Sequence, residues 1–182
     1  MKKQKIQLII LAALLVAALA VFLIVKGIND AKKASQPLMG KYTAFSIRSD
    51  EIQALSVDNH MGDSDVPEMM IERDGKSWKF VNYDGEVNTL RAGQLLSLLV
   101  NVPSDYEITD ASENDYGLND PITLVITDTS GTDHVLLFGD KNDYTGSYYM
   151  LNKDNGNVYL VGTKLFEQVC VTDNSMSKQA TE

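Results

Sequence analysis

From Leu8 to Val25 the chain carries no polar side chain at all, and the apolar run extends back to Ile6 with only Gln7 inside it. A helix needs about 20 such residues to cross a hydrocarbon core of about 30 Å, because each residue advances it about 1.5 Å. Residues 6–26 are therefore expected to form a transmembrane anchor whose backbone amides bond one another within one continuous helix. Lys2, Lys3 and Lys5 precede the run, and this lysine-rich end predicts a cytoplasmic N-terminus with the remainder outside. A cleaved signal is the rival: Ala18-Leu19-Ala20 satisfies the small-x-small rule, but Val21-Phe22-Leu23-Ile24-Val25 would then continue past the cut. The expected location is a cell membrane, crossed once.

Four basic residues, Lys2, Lys3, Lys5 and Lys26, flank that run. The remaining 12 face all 25 acids, so residues 27–182 carry a net charge of −13. A domain this acidic repels phosphate backbones and anionic headgroups, which argues against nucleic acid as a partner. Cys170 is the only cysteine, so an internal disulfide is excluded and the fold must rest on its core.

The expected organisation is a basic segment (1–5), the anchor (6–26), a spacer (27–49), an extracytoplasmic α+β domain (50–171) and a flexible tail (172–182). Ile52, Leu55 and Val57 mark a first strand with imperfect alternation. Asp74-Gly75 separates two extended runs as a tight hairpin would, with Trp78 and Phe80 on one face. Thr89–Val102 has the helical spacing Leu95, Leu98, Leu99, Val102, with Asn88 able to cap it and Pro103 barring its continuation. Strands over 122–127, 134–138, 148–151 and 158–161 are punctuated by Ser130-Gly131 and Asp154-Asn155-Gly156-Asn157, and 165–171 closes as a short helix. Hairpin-spaced strands predict a mostly antiparallel sheet with one or two packed helices, in two strands-then-helix units.

Asp140-Lys141-Asn142-Asp143-Tyr144-Thr145-Gly146 begins like a calcium loop, but its glycine is one place late and Leu151 stands where a bidentate glutamate is required. Asp58, His60, Asp63 and Asp65 form a second donor cluster without ligand spacing. No serine sits in a nucleophile elbow, no pair of histidines has helical zinc spacing, and no glycine loop could cradle phosphate. No catalytic residue, metal or cofactor is expected. The histidines have no recognisable partners, and Cys170 lies in an apolar stretch. Tyr144, Tyr148, Tyr149 and Tyr159 gather in the last third and could form a binding face, each offering a ring and a hydroxyl.

Asp74-Gly75-Lys76-Ser77-Trp78, Tyr116-Gly117-Leu118 with Pro121, Phe138-Gly139, Tyr148-Tyr149 and Val158-Tyr159-Leu160-Val161 occur in an order that resembles the bacterial family known as domain of unknown function 4340. The resemblance spans roughly residues 50–170 and brings no catalytic residues with it. It implies an accessory role, since some members resemble, or are encoded beside, parts of ABC-type transporters, including those linked to gliding motility. The expected function is a non-enzymatic interaction domain of an envelope or ABC-transporter-type assembly, with a membrane protein as partner. The alternatives are a module binding a wall polymer or peptide through the tyrosine face and, last, a carboxylate-dependent hydrolase.

Overall fold

A computed structural model describes residues 40–59, 68–112, 114–171 and 173–177. The run Ile6–Val25 and the acidic cluster at His60, Asp63 and Asp65 lie outside the described residues. Among the described residues no helix is long and apolar enough to cross a membrane.

The elements follow in the order β1 (Tyr42–Phe45), β2 (Ile52–Asp58), β3 (Glu68–Asp74), β4 (Ser77–Phe80), α1 (Thr89–Leu99), β5 (Val102–Ser104), β6 (Glu107–Ile108), β7 (Ile122–Asp128), β8 (Asp133–Lys141), β9 (Tyr148–Asn152), β10 (Asn157–Val161), α2 (Thr163–Val169) and α3 (Asp173–Met176). Eight strands form one sheet in the order β4-β3-β2-β7-β8-β9-β10-β6, and every pairing in it is antiparallel. β1 and β5 make a separate antiparallel pair. This is the expected α+β class.

One face of the sheet carries the main core. Leu55, Val57, Ile71, Leu124, Ile126, Leu136, Phe138, Met150 and Val161 pack there against Ala92, Leu95, Leu96 and Leu99 of α1, and against Leu165, Phe166 and Val169 of α2. On the opposite face Leu118, Leu151 and Val158 form a smaller cluster with Ile108, Ala111, Leu137 and Tyr149 around it. The period-2 alternation of β7 explains this division, since Ile122, Leu124 and Ile126 point to the main core and their neighbours point away.

The uneven spacing in β2 has a structural cause. Register with β7 slips between Ile52 and Ala54, so a bulge at Gln53 returns Ile52 to the same face as Leu55 and Val57. The hairpin at Asp74-Gly75 turns with Gly75 at φ +63°, a conformation that costs a side-chain-bearing residue energy. Trp78 is only partly buried on the core, with the Arg73 guanidinium carbon 5.0 Å from its ring centre.

Three boundaries differ from the expectation. Helix α1 ends at Leu99 rather than Val102, because Val102 precedes Pro103 and is driven into extended backbone, where it pairs with Phe45. Its buried stripe is accordingly Ala92, Leu95, Leu96 and Leu99, with Leu98 only partly covered. Asn88 does cap it, its Oδ1 accepting from the Leu90 and Arg91 amides at 3.2 Å each. The segment assigned to a spacer enters the domain at Gly40: β1 contributes Ala44 and Phe45 to the core, and Ile47 follows. The segment assigned to a tail is likewise anchored as far as Ser177, since Met176 is fully buried and its carbonyl accepts the Asn88 amide at 2.8 Å.

Beyond the two residues covered by β6, the outer edge of β10 is closed by a side chain. Ser104, 3% exposed, accepts the Leu160 amide on its Oγ at 3.1 Å and lies 2.8 Å from the Leu160 carbonyl oxygen. The same Oγ accepts the Tyr106 amide at 3.2 Å and lies 2.7 Å from the Tyr106 carbonyl oxygen. A single hydroxyl thus takes the place of a neighbouring strand.

Candidate binding site

Strand β8 carries a second irregularity. Its register with β9 is regular through Phe138 opposite Met150, then resumes at Lys141 opposite Tyr148. Gly139 and Asp140 therefore face one residue of β9 and bulge out of the ladder, which re-aims the side chain at this point. The amide of Asp140, freed from β9, donates instead to the Tyr116 carbonyl at 2.8 Å.

The loop that supplies that carbonyl is built to approach closely. Tyr116 at φ +59° and Gly117 at φ +75° are consecutive left-handed residues, rare for a residue with a side chain such as Tyr116. Its ring is held by stacking on Tyr149, with centres 4.4 Å apart, while the next residue but one, Leu118, plugs the smaller core. A Cβ at Gly139 would lie 2.2 Å from the Tyr116 carbonyl oxygen, and one at Gly117 would lie 2.5 Å from Asp140 Cγ. Each glycine is thus required by the segment opposite it.

Beside this crossing lies a cavity of about 190 Å³. Its lining includes three buried apolar side chains, Ile122, Phe138 and Phe166, together with Gly117, Gly139, Pro121 and the exposed Asp120 and Asp140. Among the described residues, the side chains of Asp120 and Asp140 make no hydrogen bond or ion pair. Lys141, next in sequence, is turned towards Tyr148 with its Nζ 5.9 Å from the ring centre. Tyr148 in turn lies flat on Phe166, centres 3.5 Å apart.

The four tyrosines expected to share a face are dispersed. Tyr148 packs on the main core and Tyr149, its neighbour in the strand, points to the opposite side. Tyr159 is 2% exposed, with its hydroxyl donating to Glu107 at 2.8 Å and accepting from Asn155 at 3.0 Å. Burial raises the pKa of that phenol. Tyr144, wholly exposed, stands alone at the tip of the β8–β9 loop. The loop itself is an Asx turn, with Asn142 Oδ1 accepting the Tyr144 and Thr145 amides and Gly146 at φ +72°. Among the described residues no three Asp, Glu, His or Cys side chains are grouped as a metal ion requires.

His134, for which the sequence offers no obvious partner, has two carboxylates. Its Nδ1 lies 2.7 Å from Asp154 and its Nε2 lies 3.7 Å from Asp128. Asp128 also accepts the Ser130 hydroxyl at 2.6 Å and the Ser130 and Thr132 amides, and the hydroxyl bond leads the causes that hold its pKa below the ordinary carboxylate value. The Ser130 hydroxyl is thus bonded to a carboxylate and not to the imidazole, the reverse of the order that activates a serine. Cys170 is half-buried, and burial, with the charge of Glu167 second, pushes its thiol up to about 11. Such a thiol is a poor nucleophile at neutral pH.

Asp120 and Phe166 were not legible as site residues, and Asp140 was met only as the first residue of a calcium-like loop whose glycine and last ligand do not fit. The signal that points to them is the pair of glycines in Tyr116-Gly117 and Phe138-Gly139, which mark two backbones in contact. No curated protein and no solved structure matches the chain. A family model described as domain of unknown function (DUF4340) matches residues 78–179, starting at Trp78 and taking in both arms of the glycine crossing. That match covers more than half of the 182 residues, and the chain belongs to the DUF4340 family.

Proposed function

We propose that the chain is a membrane-anchored, extracytoplasmic protein that binds rather than catalyses, as an accessory component of an envelope or ABC-transporter-type assembly. The observation that carries this reading is the cavity at the glycine crossing, formed where Tyr116-Gly117-Leu118-x-x-Pro121 meets Phe138-Gly139. At about 190 Å³ it is smaller than the roughly 300–1,000 Å³ typical of substrate and cofactor pockets, and larger than the roughly 150 Å³ that accommodates benzene. It suits a protruding group of a partner. The apolar run at Ile6–Val25 supports the anchor, and tethering would raise the effective concentration of the domain at a membrane partner.

Two measurements test this. The chain should sediment with membranes and resist carbonate extraction; a soluble mature form beginning near residue 21 would refute the anchor. A photo-crosslinker placed at Asn119, beside the cavity mouth, should capture a membrane protein in native membranes, while one at Leu90, exposed on α1, should not. Capture from neither position, with full function in a secreted anchor-free domain, refutes the accessory role.

A further inference from the structure

We infer that the cavity beside the glycine crossing receives an organic cation, an alkylammonium or guanidinium group on a short apolar stem. This rests on the binding role proposed above and adds the chemistry of what is bound. Three features of the same small space point one way.

Part of its lining is apolar. Phe138, Phe166 and Ile122 belong to the main core and offer an aliphatic stem a contact without polar groups, beside the backbone of Gly117 and Gly139. An aliphatic stem would lose water against these side chains. Its outer surface is negative. Asp120 and Asp140 are both exposed and, among the described residues, neither side chain is bonded. A guest with a positive head would complete both, whereas a carboxylate or phosphate would meet two like charges.

The third feature is how Asp140 is held. The bulge takes its amide out of the β8–β9 ladder and fixes it on the Tyr116 carbonyl at 2.8 Å, while its carboxylate lies over Gly117, where even a methyl group would overlap it. The adjacent cation of the chain, Lys141, is directed to the Tyr148 ring instead. The volume then sets the size of guest. It suits the end of one side chain or a small free amine, and is too small for a nucleotide or a peptide backbone.

The test uses the full chain in detergent micelles and four probes of equal stem: n-butylguanidinium, n-butylammonium, n-butanol and butyrate. Backbone amide resonances of Gly117, Gly139 and Asp140 should shift saturably with the two cations and not with the alcohol or the acid. Asp120→Asn and Asp140→Asn should each weaken cation binding about three- to tenfold, and raising sodium chloride from 50 to 500 mM should weaken it further, because both carboxylates face water. Neither carboxylate has a partner to lose, so both variants should keep the thermal midpoint of the parent. A tripeptide Gly-Lys-Gly or Gly-Arg-Gly binding tighter than the free cation assigns the group to a protein partner; equal binding assigns a free small amine.

Equal binding of butanol and butylammonium, or affinities unchanged in both asparagine variants, would overturn the inference while leaving the crosslinking experiment untouched. Cation binding without any crosslink from the cavity mouth would sink the accessory role and leave the ligand class standing.

Discussion

Ser104→Ala removes a single oxygen atom from the edge of β10 and strips partners from several backbone groups at once. A hydroxyl has one proton and two lone pairs, so the Ser104 Oγ accepts both the Leu160 and Tyr106 amides and donates to one of the two carbonyls at a time. The alanine methyl can do none of this. The Leu160 amide is the costly loss, since it is half-buried against the buried Ser104 side chain and a buried donor left without a partner costs about 1–3 kcal/mol. The Tyr106 groups lie beside an exposed side chain and can recruit water, so their loss adds about 1 kcal/mol. The expected total is about 2–4 kcal/mol. With a urea slope of about 1–3 kcal/mol per molar, the midpoint should fall by roughly 1–2 M at unchanged slope. The fluorescence of Trp78, the only tryptophan, reports the transition, and hydrogen exchange should show the Leu160 amide losing protection before its neighbours in β10. A loss under about 0.5 kcal/mol with Leu160 still protected would mean that water or β6 closes this edge, and that the hydroxyl is not acting as a strand.

Gly93→Ala should stabilise the domain by about 0.5–1 kcal/mol in the same titration, because Gly93 lies inside α1 and an added Cβ would meet nothing within 4 Å. Cys170, its thiol raised to about 11 by burial, should react with a thiol reagent at pH 8 roughly 100-fold more slowly than a free thiol and reach the free rate once unfolded. Asp128 has a depressed pKa in the folded state, so its contribution is complete above the ordinary carboxylate pKa and disappears as pH falls through the lowered folded value. Ser130→Ala removes the leading cause of that depression. Parent and variant should therefore differ most in thermal midpoint above about pH 5 and converge in strong acid; a difference that grows on acidification would reverse the assignment.

The strands and helices were legible wherever the governing signal was local. Gly75, Gly131 and Gly156 all sit at positive φ in the turns their neighbours predict, and Asn88 caps the helix it precedes. What escaped is non-local. Tyr42–Phe45 is too short to announce itself, and becomes a strand only because Val102–Ser104 lies beside it. Met176 is one apolar residue in a polar stretch, and its burial depends on the approach to α1 and Val87. The tyrosine face failed for a reason the strand period contains: adjacent residues such as Tyr148 and Tyr149 must point to opposite faces. The cavity depends on a bulge in β8 meeting a left-handed turn more than 20 residues away, and neither half indicates the other. His134 found its closest carboxylate, Asp154, across the β8–β9 hairpin in the same way.

The position of β2 beside β7 has a consequence for how the chain acquires this structure. β4-β3-β2 and β7-β8-β9-β10 are each meanders whose strands follow one another closely, yet the two halves become one sheet only along the β2–β7 seam. Ile52 must find Asp128 and Asp58 must find Thr123, with β3, β4, α1, β5 and β6 lying between them in sequence. Pairings of such separation close slowly, because the entropy of a long loop is spent before the contact rewards it. As the chain emerges in order from its N-terminus, β2 therefore waits with one apolar face and one open edge until β7 exists. In that interval Leu55 and Val57 sit on a strand paired with β3 on one side only, an arrangement prone to edge-to-edge association. The seam that unites the finished sheet is also the point at which a truncated or stalled chain would aggregate.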